Sequence, residues 1–107
     1  MTETTVAVAK AAMRDIPNIL GLINSYAAGG IMLPRTEFEM SENIRDFSVA
    51  YDGGVLLGCG ALHFYTPTTA EVRSLAVREQ AKRHGVGRSI VEKLEEEARE
   101  NGETKGR

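Results

Sequence analysis

A cluster of basic residues leads into a short glycine motif in the second half of the chain. Lys82, Arg83 and His84 run directly into Gly85 and Gly87, which are separated by one residue. An apolar pattern of helical period follows, so the glycines would open a helix. The first turn of a helix offers unpaired N–H groups and the positive end of the helix dipole. Such a loop is therefore suited to binding a phosphate group.

Positive charge is concentrated at this loop. Residues 73–88 hold five lysines or arginines and one glutamate, whereas residues 92–103 hold two basic and six acidic residues. The acidic stretch is interpreted as the solvent-facing side of the helix that the glycines open. An anionic ligand would be attracted to the basic loop. The alternative is a plain helix start with a basic collar and no ligand.

Two common phosphate-binding motifs do not fit the loop. A P-loop requires Gly-Lys followed by Ser or Thr, but Arg88 follows Gly87 here. A dinucleotide fingerprint requires a third glycine three residues after Gly87, and Ile90 stands there. Both interpretations are excluded.

The remaining pattern is a basic residue, two spacers, and Gly-x-Gly after a predicted strand that ends in Leu-Ala-Val. It resembles the pyrophosphate loop of the GNAT superfamily of acetyl-CoA-dependent N-acyltransferases. The family usually has Gln or Arg at the position of Lys82 and often Gly at that of Arg83. The resemblance implies an acetyl-CoA site that uses the strand end and the loop. Its residues are Leu75, Ala76, Val77, Lys82, Arg83, His84, Gly85, Val86, Gly87 and Arg88.

The resemblance also implies roles in acetyl transfer. Glu71 lies eleven residues before Lys82, the spacing at which many family members carry their general base. The alternative for Glu71 is a solvated carboxylate at the start of a strand. The backbone N–H of Val77 is expected to polarise the thioester carbonyl. Arg35 and Arg73 are candidates for binding an acceptor carboxylate, with surface arginines as the alternative.

The middle of the chain is similar to the acetyltransferase domain of N-acetylglutamate synthases. The similarity lies in residues 30–36, 44–47 and 58–62 and in the strand that begins near Glu71. It implies an amino-acid acceptor, such as glutamate. The family's usual general acid, a tyrosine later in the chain, has no counterpart, because Tyr26, Tyr51 and Tyr65 all lie too early.

The elements that would position these residues follow the order β-α-α-β-β-β-α. Strands are predicted near residues 4–9, 47–51, 55–65 and 71–77, and helices over residues 16–27, from 37, and from 86. The fold class is α/β, a mixed sheet with helices on both faces. Phe38, Met40 and Ile44 are the expected core contacts of the second helix. Gly58 and Gly60 indicate close backbone packing or a bulge.

A length of 107 residues predicts one domain over residues 1–107. The family's fifth strand, following helix and final hairpin have no counterpart, so the domain is expected to be C-terminally incomplete. The fourth strand would then have an open edge, which predicts a homodimer or a strand-swapped oligomer. The alternative to an active enzyme is a non-catalytic coenzyme A-binding or self-associating module.

Composition disfavours several other functions. The net charge of −2 and the absence of aromatics interleaved with the basic loop disfavour nucleic acid. No apolar run has the length of a membrane span. Cys59 is the single cysteine and is interpreted as a small core residue, which with the lack of a signal peptide predicts a cytoplasmic protein. His63 and His84 lack a ligand cluster, so no metal is expected.

Overall fold

The computed structural model describes residues 7–30 and 35–100. The strands are β1 (Ala7–Lys10), β2 (Phe47–Asp52), β3 (Val55–Thr66) and β4 (Thr69–Val77), and the helices are α1 (Ile16–Ala28), α2 (Glu37–Asn43) and α3 (Val86–Glu100). Short 3-10 segments lie at Met13–Asp15, Ile44–Asp46 and Glu79–His84. The predicted α/β order is confirmed. The proposed link at residues 31–34 and the strand start at residues 4–6 lie outside the described residues.

The four strands form one sheet in the order β1-β2-β3-β4, and every neighbouring pair is antiparallel. A tight hairpin joins β2 to β3 at Gly53 and Gly54, whose φ angles of +60° and +92° favour glycine. β4 lies at one end of the sheet, so its outer edge has no strand beside it within the described part of the chain.

Helices cover both faces of the sheet, as the sequence predicts. On one face, α1 and α2 contribute Ile19, Ile23 and Met40 to a core that includes Phe47 and Cys59 of the sheet. On the other face, α3 packs its buried apolar residues against the sheet, namely Val86, Ile90 and Leu94 against Ala50 and Leu62. None of the described helices has the length and apolar character needed to cross a membrane.

The expected core contacts of α2 are confirmed at two of three positions. Met40 is fully buried and Ile44 is buried, but Phe38 is 71% exposed, so its assignment to the core was wrong. The helix begins with a capping box in which the Thr36 hydroxyl accepts from the Glu39 N–H. Met40 and Ile44, four residues apart, face the core, so Phe38, two residues before Met40, lies on the other side of the helix.

Close approach of α3 to β3 depends on two glycines. A Cβ at Gly60 would lie 2.9 Å from Ile90 Cγ2, and one at Gly58 would lie 3.0 Å from Ile90 Cδ1. A larger residue at either position would push the helix away from the sheet. The close packing brings the first turn of α3 to the end of β4, where a Cβ at Gly87 would lie 3.5 Å from Val77 Cγ2.

Candidate functional site

A cleft of about 520 Å3 lies between the end of β4 and the start of α3. It is lined by Tyr26, Leu75, Ala76, Val77, Lys82, Gly85, Gly87 and Arg88. All of these except Tyr26 were predicted to hold the coenzyme. The fold therefore brings the strand end and the basic glycine loop to one place.

The floor of the cleft is the N-terminus of α3. Gly85 has a φ of +79°, and its carbonyl accepts from the Ser89 N–H at 3.0 Å, so it is the residue that precedes the helix. The N–H groups of Val86, Gly87 and Arg88 therefore have no carbonyl one turn earlier within the helix. These donors and the positive end of the helix dipole favour an anion at this point.

Three residues of the predicted coenzyme loop, Arg83, His84 and Val86, are not among the residues that line the cleft. The side chain of Val86 is buried in the core beneath α3, so only its backbone is available to a ligand. Arg83 and His84 are exposed on the 3-10 segment and are not among the residues that line the cleft. Their assignment to the coenzyme site stays a prediction.

One wall of the cleft is the backbone at the end of β4. Arg78 follows the last residue of β4, and its N–H donates to the Leu57 carbonyl at 2.7 Å, so the pairing with β3 continues to that residue. Successive residues of a strand direct their backbone groups to opposite sides, so Val77 directs its N–H and carbonyl to the outer edge. The hydroxyl of Tyr26 donates to the Val77 carbonyl, which is consistent with that direction.

Lys82 and Tyr26 meet at the mouth of the cleft. The ammonium of Lys82 lies 5.0 Å from the centroid of the Tyr26 ring and 3.3 Å from Oε1 of Glu79. The contact with Tyr26, followed by the bond to Glu79, raises the pKa of Lys82. Lys82 thus adds a positive charge to the cleft beside the helix N-terminus.

A bulge divides β4 into two parts. Between the pairs Ala61–Arg73 and Cys59–Ala76, β4 advances three residues while β3 advances two. Ser74 has a φ of +54° at this point, a left-handed conformation that a non-glycine residue adopts at a cost of about 1–2 kcal/mol. The extra residue places Leu75 on the α3 face, where its Cδ1 approaches Gly60.

Before the bulge, the side chains of Glu71 and Arg73 lie on the opposite face, because Arg73 pairs with Ala61 and Ala61 belongs to the core that α1 and α2 cover. Glu71 Oε1 accepts from the Tyr65 hydroxyl at 2.5 Å and from Arg73 Nε at 3.3 Å. Arg73 Nη2 also donates to the Tyr65 oxygen at 3.1 Å. The hydrogen bond from Tyr65 is the main cause of the lowered pKa of Glu71, and the hydrogen bond and positive charge of Arg73 lower it further. The bond to Glu71 also raises the pKa of Tyr65.

Arg35 lies on the same side of the sheet. Its guanidinium carbon is 5.8 Å from the centroid of the Phe47 ring. Asn24 of α1 fixes its backbone, because the Arg35 N–H donates to Asn24 Oδ1 at 3.0 Å and Asn24 Nδ2 donates to the Arg35 carbonyl at 3.3 Å. Across the sheet, Phe47 pairs with Ala61, and Ala61 pairs with Arg73. Arg35, which contacts Phe47, therefore lies on the same face as Arg73 and at the same level along the strands.

Sequence reasoning missed three residues of this region. Tyr65 and Ser74 gave no signal, since neither an exposed strand tyrosine nor a bulged serine differs from its neighbours in the sequence. Tyr26 did give a signal: it follows Ile19 and Ile23 at helical spacing and therefore belongs to the sheet-facing side of α1.

Among the described residues, no group of His, Cys, Asp and Glu is arranged to hold a metal ion.

The family follows from comparison of the whole chain with known proteins. A sequence model of the acetyltransferase (GNAT) family matches residues 16–105. The chain belongs to the GNAT family. Within it, the resemblance to the acetyltransferase domain of N-acetylglutamate synthases is also confirmed, by the relatives described next.

Three related proteins illustrate the similarity. A Chlorobaculum tepidum protein named as an uncharacterized N-acetyltransferase is 42% identical, over 95% of this chain and 66% of its own length. The amino-acid acetyltransferase of Mycobacterium tuberculosis is 35% identical, over 87% of this chain and 55% of its own length. N-acetylglutamate synthase from Neisseria gonorrhoeae, complexed with coenzyme A and N-acetyl-glutamate, superposes with a TM-score of 0.87 at 33% identity, over 94% of this chain and 24% of its own. The GNAT chain described here spans only part of each relative.

Proposed function

We propose that this GNAT domain binds acetyl-CoA in the cleft and transfers the acetyl group to the amine of an amino acid, with glutamate as the first candidate. The observation that carries the proposal is the meeting of the α3 N-terminus with the outward-directed backbone of Val77. An anion site thus adjoins an open strand edge, as a ligand with a pyrophosphate and an extended amide-bearing arm requires.

The coenzyme would be held mainly by backbone groups. Its pyrophosphate would accept from the N–H groups of Val86, Gly87 and Arg88, with charge from the Lys82 and Arg88 side chains. The amides of its pantetheine arm would pair with β4 from Leu75 to Val77 as an added strand does. The Val77 N–H would then polarise the thioester carbonyl, and one such donor contributes about 3 kcal/mol to lowering the barrier.

The acceptor would lie on the other face of β4. Glu71 would take a proton from the acceptor ammonium, directly or through water. The lowered pKa keeps Glu71 ionised at neutral pH, so the carboxylate can accept a proton, and it also makes Glu71 a weaker base than a free glutamate. The amine then attacks the thioester carbonyl carbon, so that a C–N bond forms and the C–S bond breaks. The nitrogen passes its second proton through water to the departing thiolate, and Glu71 returns the first proton to solvent. Arg35 and Arg73 would bind acceptor carboxylates.

The relatives support this assignment of coenzyme and acceptor. The M. tuberculosis relative is named an amino-acid acetyltransferase, and the N. gonorrhoeae structure contains coenzyme A together with N-acetyl-glutamate. An acceptor with a carboxylate fits the pair of arginines found on one face of the sheet here.

Calorimetric titration of acetyl-CoA tests the proposal. We expect Gly85→Glu to weaken binding at least about 100-fold, because it places a carboxylate beside the pyrophosphate, where like-charge contact costs several kcal/mol. Gly53→Glu is the matched control: Gly53 also has a positive φ and open space at its Cβ position, but it lies in the β2–β3 hairpin. Equal affinities for the Gly85 variant and the parent would reject the proposed coenzyme site.

The outward-directed backbone of β4 supports a second candidate, a non-catalytic module that holds coenzyme A or pairs with a second copy of itself. Coenzyme binding without release of free thiol in the presence of amino acids would select the first form. Concentration-dependent association without coenzyme binding would select the second, and with it the homodimer or strand-swapped oligomer.

A further inference from the structure

Tyr26 lines the cleft but has no part in the proposed transfer. It lies near the end of α1 and reaches the outer edge of β4, where its hydroxyl donates to the Val77 carbonyl. Its ring faces the ammonium of Lys82, which is also paired with Glu79. One side chain thus contacts both the strand end and the basic loop.

The Val77 carbonyl is a group that an added strand would use. A chain that pairs with a strand edge accepts hydrogen bonds from N–H groups of that edge and donates to its carbonyls. Val77 directs both its N–H and its carbonyl outward. An extended arm laid along β4 would therefore place an amide N–H at the position from which the Tyr26 hydroxyl donates.

We propose that the Tyr26 hydroxyl competes with an amide N–H of the coenzyme arm for the Val77 carbonyl. This inference rests on the proposed acetyl-CoA site. When the arm binds, the hydroxyl leaves the carbonyl and the phenol ring shifts from β4. Tyr26 thereby sets the affinity of the site for the arm.

Removing the hydroxyl alone tests the competition. Tyr26→Phe keeps the ring beside Lys82 but removes the hydroxyl, and with it the interactions of that hydroxyl with the Val77 carbonyl and with the Lys82 ammonium, so the effect on the phosphate site needs its own comparison. One hydrogen bond within a protein contributes about 0.5–1.5 kcal/mol, so we expect coenzyme A to bind roughly two- to tenfold more tightly to this variant. Tyr51→Phe is the control, because the Tyr51 hydroxyl bonds to Asp15 and Asn18 and Tyr51 is not among the residues that line the cleft.

A ligand without the arm gives a second comparison. Adenosine 3′,5′-bisphosphate carries phosphates but no pantetheine, so its affinity should be the same for the parent and for Tyr26→Phe. Tighter binding of both ligands to the variant would show an effect on the phosphate site instead of competition for Val77, and would overturn the inference.

Other outcomes separate this inference from the proposed function. Unchanged or weaker coenzyme A binding by Tyr26→Phe, with normal binding by the parent, would reject competition and leave the coenzyme site intact. No binding by the parent would reject the coenzyme site itself, and the inference with it. If Tyr26→Phe fails to give a cooperative thermal transition, Tyr26→Leu replaces it, since it also lacks the donor and should change affinity in the same direction.

Discussion

The two ends of β4 differ in what they offer a ligand. At its C-terminal end, the cleft presents backbone groups of Val77 and of the first turn of α3, and the flanking glycines keep that backbone accessible. At its N-terminal end, the strand presents side chains, where Glu71, Arg73 and Tyr65 hydrogen-bond to one another on an exposed surface. Binding through backbone groups tolerates many changes of side chain. The hydrogen-bond network of Glu71, Arg73 and Tyr65 is lost in part when any one of these side chains is replaced.

The bulge at Ser74 makes this difference possible. In a regular strand, Glu71, Arg73 and Leu75 would share one face, because side chains two apart point the same way. The extra residue moves Leu75 to the α3 face and leaves Glu71 and Arg73 on the face of α1 and α2. The proposed coenzyme and acceptor sites thus lie on different sides of a single strand.

We call the N-terminal end of β4, with Glu71 and Arg73, the acceptor end, and the C-terminal end, with Val77, the coenzyme end, after the ligands proposed for them. Replacing Glu71, the proposed base, gives the largest effect expected at the acceptor end alone. Glu71→Gln keeps the shape and can still pair with Tyr65, but it cannot take a proton. We expect kcat to fall about 10²- to 10⁴-fold, the usual contribution of a positioned general base. The affinity for acetyl-CoA should remain unchanged, which is the reverse of the Gly85→Glu result.

Turnover and calorimetric affinity of the same preparation check this prediction. Glu95→Gln on the exposed side of α3 is the control for the change of charge. A fall in coenzyme affinity equal to the fall in rate would show that the two ends of β4 do not act separately. A variant with full kcat would mean that another group removes the proton.

A smaller effect is expected at Arg73. Arg73→Lys keeps the positive charge but loses the planar fork that pairs with a carboxylate. If Arg73 binds the acceptor, its KM should rise about 10- to 100-fold, since hydrogen bonds between charged groups contribute about 1.5–3 kcal/mol. The acceptor KM of Arg14→Lys, in the 3-10 segment Met13–Asp15, should not change. Equal KM values for the Arg73 variant and the parent would assign Arg73 to the surface.

The coenzyme end could be predicted from the sequence because its geometry follows from local rules. A strand ending in Leu-Ala-Val, a glycine with positive φ and a helix start are all encoded within residues 75–90. The structure places Leu75, Val77, Gly85 and Gly87 around one cleft, as the pattern indicates.

The acceptor end could be predicted only in part, because it depends on contacts between distant segments. Spacing along the strand placed Glu71 and Arg73 on one face, but the Tyr65 contact arises from β3–β4 register. The hydrophobic pattern predicts which residues of one strand share a face, but it does not say that Tyr65 stands beside Glu71. Gly60 did indicate a bulge as one possibility, but it did not show that the extra residue is Ser74 of the neighbouring strand. Phe38 failed for a different reason: Met40 and Ile44 are four residues apart and share one side of the helix, whereas Phe38 is two residues before Met40 and lies on the other side.

Tyr65 offers the finest test of the network at the acceptor end. Its hydroxyl is the main cause of the lowered pKa of Glu71, so Tyr65→Phe should raise that pKa toward the usual value for glutamate. A base must be deprotonated to act, so the acidic limb of the kcat/KM profile should move to higher pH. Ionised Glu71 contributes stability that is lost as pH falls from its unfolded-state pKa through its folded-state pKa, and in the variant this contribution should become smaller because the two pKa values approach each other. Carboxyl-carbon NMR titration of Glu71 measures the shift directly. An unchanged pKa would show that Tyr65 does not donate to Glu71 in solution, and Arg73 alone would then hold the carboxylate.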